Sequence, residues 1–390
     1  MENHDLPPLI MTSEEGSYAR KTIEERKPLI ITEILNDFDY PQDIQRDLED
    51  FRSILKSGIV HQLTENTSDR TIWQHDLAPW LGRAWLDIPW FLAETYFFRR
   101  VLEIVKYFQP GPWQGQDPYH FLKLKEIHSG FPIFTNEFNA LVDKPNLENL
   151  QKICFQALAG NRGDLSNLDS YETDMTSQTD QIVINHSVEA FDFLSRKQGK
   201  IAFFFDNVGK ELFFDLAFVD YLLKTGLASS VTGLLKNQPF FVSDAMPEDL
   251  TYSLDLMKTS TTKETKALGS RIDDAIKSGK FRLTTPPFLT TSRMYRQLPS
   301  VFNRNLSEHH LVIMKGDVNY RRLMGDRHWH PTTAIETAGG YFPTSFLSLR
   351  TLKAELLVGL PEKTYNELEQ SAEPDWKING NRGMITFYQK

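Results

Sequence analysis

Asp206 and Asn207 stand at the abrupt end of an unbroken apolar run, Ile201-Ala202-Phe203-Phe204-Phe205. Such a run reads as a strand buried on both faces, and an acid and an amide at its carboxyl end place two oxygen donors where open parallel sheets bind ligands. The pattern recurs. Phe240-Phe241-Val242 runs into Ser243-Asp244, and Leu311-Val312-Ile313-Met314 runs into Lys315-Gly316-Asp317-Val318-Asn319-Tyr320-Arg321. Parallel strands that end this way bring their tips to one edge of a sheet. Asp206, Asn207 and Asp244 then form a hard oxygen set suited to Mg²⁺ or Mn²⁺, because clustered carboxylates repel one another unless a cation joins them. Lys315, Arg321, Arg322 and Arg327 surround Asp317, and Arg350-Thr351-Leu352-Lys353 adds further positive charge. Cations beside a metal site suit a phosphoryl group, whose transfer is catalysed largely by positioning and charge neutralisation.

The elements that must hold these tips follow from the hydrophobic pattern. Gly209 lets the chain turn after Asp206-Asn207, and from Glu211 the apolar residues fall at helical spacing, so the stretch predicts strand, tight turn, helix. The free N–H groups of that helix favour an anion. Short apolar runs at 201–205, 231–235, 239–243, 311–315, 354–358 and 384–388 alternate with helical segments, which predicts a mainly parallel sheet covered by helices. The first half reads as helices. Residues 12–36 give two pieces separated at Pro28, 42–66 another helix, and 116–160 more. From Pro89, the residues Trp90, Phe91, Glu94, Phe97, Phe98, Val101 and Leu102 form the clearest amphipathic helix, an aromatic stripe read as core with Glu94, Arg99 and Arg100 on its flank. Residues 163–180 are polar and acidic and read as a long surface loop, and 181–195 as a helix leading into the strand at 201. The expected division is a helical domain over 1–195 and an α/β domain over 196–390.

The 390 residues carry 43 Lys and Arg against 52 Asp and Glu, a formal charge of −9, which argues against nucleic acid or an anionic membrane as partner. No basic segment followed by an apolar one opens the sequence, and no stretch of about 18 uncharged apolar residues occurs. Cys154 is the single cysteine and excludes an internal disulfide; with the absence of a leader it points to the cytosol. Cys154 itself reads as a core thiol. His309-His310 and His328-Trp329-His330 lack the spacing of a helical zinc pair, and no phosphate-binding or dinucleotide-binding glycine motif is present.

Taken in order, Asp206-Asn207-x-Gly-x-Glu-Leu-x-x-Asp-Leu, Val242-Ser243-Asp244, Lys315-Gly316-Asp317-x-Asn319-Tyr320-Arg321 through Gly325-Asp326-Arg327-x-Trp329, and Arg350-Thr351-x-Lys353-Ala354-Glu355 resemble the metal-dependent damage-control phosphatases, in the subgroup that includes the so-called acidic residue methyltransferase. The likeness extends to Glu94-Thr95-Tyr96-Phe97-Phe98-Arg99-Arg100 and to Gly160-Asn161-Arg162-Gly163-Asp164-Leu165-Ser166. The resemblance implies an α-β-α sandwich with a helical N-terminal domain walling the cleft. It implies a divalent cation (Mn, Mg, Co or Ni) on Asp206, Asn207 and Asp244, with Asp206, Asp244 and Lys353 in the catalytic set. It implies ligand contacts from Glu211, Asp317, Asn319, Tyr320, Arg321 and Lys353, with Asn161 and Asp164 as additions. The implied substrates are sugar phosphates such as fructose 1-phosphate and fructose 6-phosphate. Two rival readings stand beside it, a carboxyl methyltransferase using S-adenosylmethionine and a sugar-phosphate sensor without turnover.

Overall fold

Apolar runs form the inner strands of one sheet in the computed structural model, which describes residues 6–138, 146–159 and 181–390. Seven strands are β1 (Ile182–Asn185), β2 (Gly199–Phe204), β3 (Ala228–Leu234), β4 (Phe281–Thr284), β5 (Leu311–Lys315), β6 (Phe346–Thr351) and β7 (Gly383–Tyr388), in the order β1-β7-β6-β5-β2-β3-β4. All neighbours pair in parallel except β6 and β7. From β2 the chain builds outward through β3 and β4, then returns to the other side of β2 with β5. The order therefore reverses between β2 and β5, the kind of place where an open sheet leaves a crevice beyond its carboxyl ends.

Alternation along the strands sorts the core into two layers. Ile201, Phe203, Leu311 and Ile313 face one way and join a core with helices α6 (His120–Glu137), α7 (Leu147–Ala159), α8 (Ser187–Arg196), α9 (Lys210–Lys224), α10 (Pro247–Thr259) and α11 (Lys263–Lys277). Ala202, Phe204, Val312 and Met314 face the other way, onto α12 (Ser300–Ser307), α13 (Gly316–Met324) and α14 (Ile335–Gly339). That second core continues without a break into the N-terminal helices α1 (Tyr18–Lys21), α2 (Lys27–Asp37), α3 (Gln42–Ser57), α4 (Arg70–Leu77) and α5 (Trp90–Ile104). The result is a three-layer α/β architecture with added N-terminal helices. Among the described residues no helix is long and apolar enough to cross a membrane.

Five expectations change. Residues 239–243 are no strand: Phe241 and Val242 take left-handed φ angles of 48° and 64°, and Phe240 and Phe241 pack on Phe98, with Phe241 also on Phe91, of α5 instead of a sheet neighbour. Residues 354–358 are buried but irregular, because side chains satisfy their backbone: Arg350 donates to the Leu356 and Ala354 carbonyls, and Val358 N donates to the Tyr320 hydroxyl. The strand lies just before them, as β6. Residues 181–195 divide into β1 and α8, with β1 pairing in parallel with β7. Residues 42–66 are helical only to Ser57.

Pro28 does not separate two helices. Chain direction continues from α1 into α2 through a π-helical turn, Thr22–Arg26, closed by Lys27 N donating to the Thr22 carbonyl. Proline has no N–H to give the preceding turn and its ring crowds the carbonyl four residues back, so the extra residue of a π turn absorbs the conflict.

Candidate active site

Parallel register brings the strand tips together as the sequence pattern requires. Phe204 pairs with Leu234 on one side and Met314 on the other, and Lys315 pairs with Leu349, so Asp206, Lys236, Gly316 and Arg350 emerge along one edge. The contact between the β2 and β5 tips is close enough to dictate a residue type. Gly316 has φ +79°, and a Cβ there would lie 1.8 Å from Asp206 Oδ2. Glycine alone fits.

Asp244 reaches this edge from a loop and not from a strand tip. The segment after β3 folds back so that Asn207 bridges Asp244 in antiparallel fashion, Val208 N donates to the Ser243 carbonyl at 2.7 Å, and Ala245 N donates to the Asp206 carbonyl at 2.7 Å. Two consecutive left-handed residues, one of them β-branched, are the cost of that return, of order 1–3 kcal/mol each.

Asp206, Asn207 and Asp244 are thus neighbours. Asp206 Oδ2 accepts from Asn207 Nδ2 at 2.9 Å, and the same amide donates to Glu211 Oε2 at 2.9 Å while its oxygen accepts from Ser243 Oγ at 2.7 Å. Asp244 lies 2.9 Å from Lys236 Nζ. Asp206 Oδ1 is buried and has no hydrogen-bond partner among the described residues. Burial, then the charges of Asp244 and Glu211, raise the Asp206 pKa well above the carboxylate range, and burial also raises that of Asp244 against the pull of Lys236. Behind them Lys315 Nζ sits 2.8 Å from both Glu211 and Asp215 and donates to the Ala157 carbonyl at 3.0 Å. Burial opposes its charge, but Asp215 and Glu211 more than offset that and keep it protonated.

These groups line a cavity of about 710 Å³ whose opposite wall comes from the N-terminal helices. Tyr18, Arg26, Lys27, Trp90, Glu94 and Phe98 face it from α1, the π turn, α2 and α5, and Glu126, Gly130 and Glu137 face it from α6. The α6 wall is seated against the turn before α9. A Cβ at Gly130 would come within 2.5 Å of Lys210 N, and one at Gly209 within 3.0 Å of the Glu126 carbonyl. The start of α9, expected to await an anion, is therefore packed against α6 backbone.

Most of the clustered cations are spent inside the protein. Arg321 is held by Asp317 and Asp326 and stacks 3.9 Å over Trp90. Arg322 donates to the carbonyls of Leu289, Thr291 and Arg293, and Arg327 to that of Pro7. Asp317 lines the cavity, but Arg321 and Arg350 overcome its burial and hold its carboxyl down at about 2. Asn319 accepts from the Tyr295 hydroxyl and donates to the Lys315 carbonyl, both within the core, and Tyr320 accepts from Val358 N. Asn319, Tyr320 and Arg321 do not line the cavity; Lys353 and Glu211 do. Asn161 and Asp164 lie outside the described residues. Arg99 pairs with Glu65 and Asp69 and Arg100 with Glu103, away from the cavity, while Glu94 reaches it. Cys154 is fully buried and burial pushes its thiol up to about 12.

A cation fits this edge on its chemistry. Glu94, Glu137, Glu211, Asp244 and Asp317 each have a basic partner, whereas Asp206 has none among the described residues. A buried carboxylate without compensation is strongly disfavoured unless an ion or a proton joins it. Among the described residues no three histidine, cysteine or carboxylate side chains converge as metal ligands, so Asp206 and Asp244 would need an amide oxygen such as that of Asn207 beside them to hold a cation. Hard cations complete such a set with water.

Sequence reasoning missed Tyr18, Arg26, Lys27, Glu126, Lys210 and Ser243. The usable signal was Pro28 directly after a charged turn.

A family model described as damage-control phosphatase ARMT1-like domain matches residues 22–368. The Danio rerio protein named damage-control phosphatase ARMT1 is 27% identical over 98% of this chain and 97% of its own length, and the Homo sapiens protein of that name is 27% identical over 98% of each. A solved structure of a DUF89 family protein from Pyrococcus horikoshii shares the fold, with a TM-score of 0.51 at 15% identity over 95% of this chain and 98% of that one.

Proposed function

The chain belongs to the damage-control phosphatase family with an ARMT1-like domain, and from that premise we propose that it hydrolyses sugar phosphates such as fructose 1-phosphate and fructose 6-phosphate with the help of a divalent cation, Mg²⁺, Mn²⁺, Co²⁺ or Ni²⁺. The observation that carries the reading is Asp206: a buried carboxylate with one oxygen unpartnered, at the point where the strand order reverses.

Asp206, Asn207 and Asp244 would hold the cation, which when bound supplies charge neutralisation to the phosphoryl oxygens and lowers the pKa of a coordinated water. The protein's own groups do the rest. Asp206 or Asp244 orients the attacking water in line with the ester oxygen. Lys353 and Arg26, on opposite walls, draw the phosphate dianion in and oppose its remaining charge. Arg321, implied by resemblance as a ligand contact, acts in this reading by fixing Asp317 at the cavity wall. Asn161 and Asp164 remain candidates for ligand contact. The reading assigns residues 1–195 to the wall and 196–390 to the catalytic edge, and places the activity in the cytoplasm.

The test is phosphate release from a panel of sugar phosphates by chelator-treated protein to which each cation is returned. Release that needs the cation and vanishes in Asp206→Ala, with an unchanged circular dichroism spectrum, is expected. Release retained by Asp206→Ala would sink the assignment. Calorimetric titration with S-adenosylmethionine separates the rival carboxyl methyltransferase, and binding of sugar phosphate without turnover separates the sensor.

A further inference from the structure

Glu94 sits on α5 in an otherwise apolar stretch, 2% exposed, with its carboxylate on the cavity wall. Its Oε2 lies 2.5 Å from Lys27 Nζ. Its Oε1 is buried and accepts no hydrogen bond from any described residue. Buried polar atoms are almost always paired, and one left open on the wall of a cavity calls for a donor from what fills the cavity.

Lys27 fixes that oxygen in place. Its ammonium lies 4.5 Å from the ring of Phe98, 5.2 Å from Phe97 and 5.9 Å from Phe241, so the aromatic faces take the N–H directions that Glu94 does not. The π turn sets this up by carrying Lys27 inward and leaving Arg26 exposed at the cavity. A π turn within a helix frequently marks a functional position.

We propose that Glu94, held by Lys27, reads the carbon body of the substrate: Oε1 accepts a hydrogen bond from a hydroxyl of a polyhydroxylated phosphate ester whose phosphate lies at the Asp206 edge. This rests on the phosphatase reading above and names its specificity determinant. A carboxylate only accepts, so the ligand must donate. Glu94 is already paired with Lys27, and Arg26 lines the same cavity, so a neutral hydroxyl is favoured over an ammonium group. The Tyr18 phenol lines the same cavity. The cavity, at about 710 Å³, has room beyond a phosphate for a chain of several carbons.

The experiment titrates sorbitol 6-phosphate, hexyl phosphate and inorganic phosphate calorimetrically into the full-length protein, with and without Mg²⁺. Wild type is expected to bind the polyol ester at least about tenfold more tightly than the hydroxyl-free ester; equal binding overturns the proposal without any variant. The paired variant Lys27→Met with Glu94→Leu removes the acceptor without stranding a buried charge. It is expected to lose about tenfold or more for sorbitol 6-phosphate and less than about twofold for inorganic phosphate, with its melting temperature held. Equal losses for both ligands, or none, overturn the proposal. Binding that depends on Glu94 with no phosphate release would reject the phosphatase reading and keep this one, and release with binding indifferent to Glu94 would do the reverse.

Discussion

The two walls of the cavity are built on opposite terms. On the sheet edge the charged side chains other than Asp206 are locked by one another: Lys315 between Glu211 and Asp215, Arg321 between Asp317 and Asp326, Asp244 against Lys236. On the helical wall the pairs are sparse and end open, with Arg26 exposed and Glu94 keeping one oxygen free. A rigid edge holds reacting groups within tight tolerances, and a sparse wall can match the ligand's own pattern of donors. Changes on the edge should therefore strike turnover, and changes on the wall should strike affinity.

Asp206→Asn gives the largest effect. Phosphate release should fall about a thousandfold or more, as when a group acting in the transition state is lost, while the melting temperature of the cation-free protein rises because an uncompensated buried carboxylate is gone. A lowered melting temperature would break the claim that this acid is strained without an ion. Gly316→Ala should follow. Its Cβ meets Asp206 Oδ2 in a left-handed position, so release should drop about a hundredfold and stability by about 2 kcal/mol, read by urea denaturation.

Asp317 sharpens the comparison through pH. Arg321 and Arg350 hold its folded pKa near 2, below the ordinary value of 3.8. Its contribution is complete above pH 4 and is lost as pH falls through 2, so Asp317→Asn should cost about 2 kcal/mol at neutral pH and flatten the acid limb between pH 4 and 2. An unchanged acid limb would mean that the ion pairs are not formed in solution. Gly130→Ala is the mildest and tests the wall alone. The added methyl would crowd Lys210 N and tilt α6 off the edge, so KM should rise about five-fold with kcat held within about twofold. A fall in kcat with KM unchanged would erase the distinction between the walls.

The same contrast explains what could be read from sequence. Strands at 201 and 311 were legible because a strand buried on both faces is written as an unbroken apolar run, those at 231 and 384 as apolar runs interrupted by Thr or Gly, and the mainly parallel α/β class followed from their alternation with helices. Phe240-Phe241-Val242 carries the same signature without being a strand, since composition does not reveal that Phe241 and Val242 turn left-handed, with Phe241 packed on Phe91 and Phe98. Asp244 still arrives beside Asp206, by a route the pattern does not show. Arg321 and Lys315 were conspicuous as charge yet are consumed by acids close in space, a matter of pairing that residue counts do not contain. Arg26 and Lys27 look like part of a solvated run, Glu24-Glu25-Arg26-Lys27, until the π turn swings them to the cavity.

Reversal of the strand order between β2 and β5 also has a consequence in time. Ile201 must wait for Leu311 to be synthesised before the two can pair. At about 5–20 residues per second that delay is on the order of ten seconds. Once β3 has been made, β2 has it on one side and an unpaired row of backbone groups on the other, along some of the most apolar residues in the chain. The nascent protein is open to mispairing along that row during this interval.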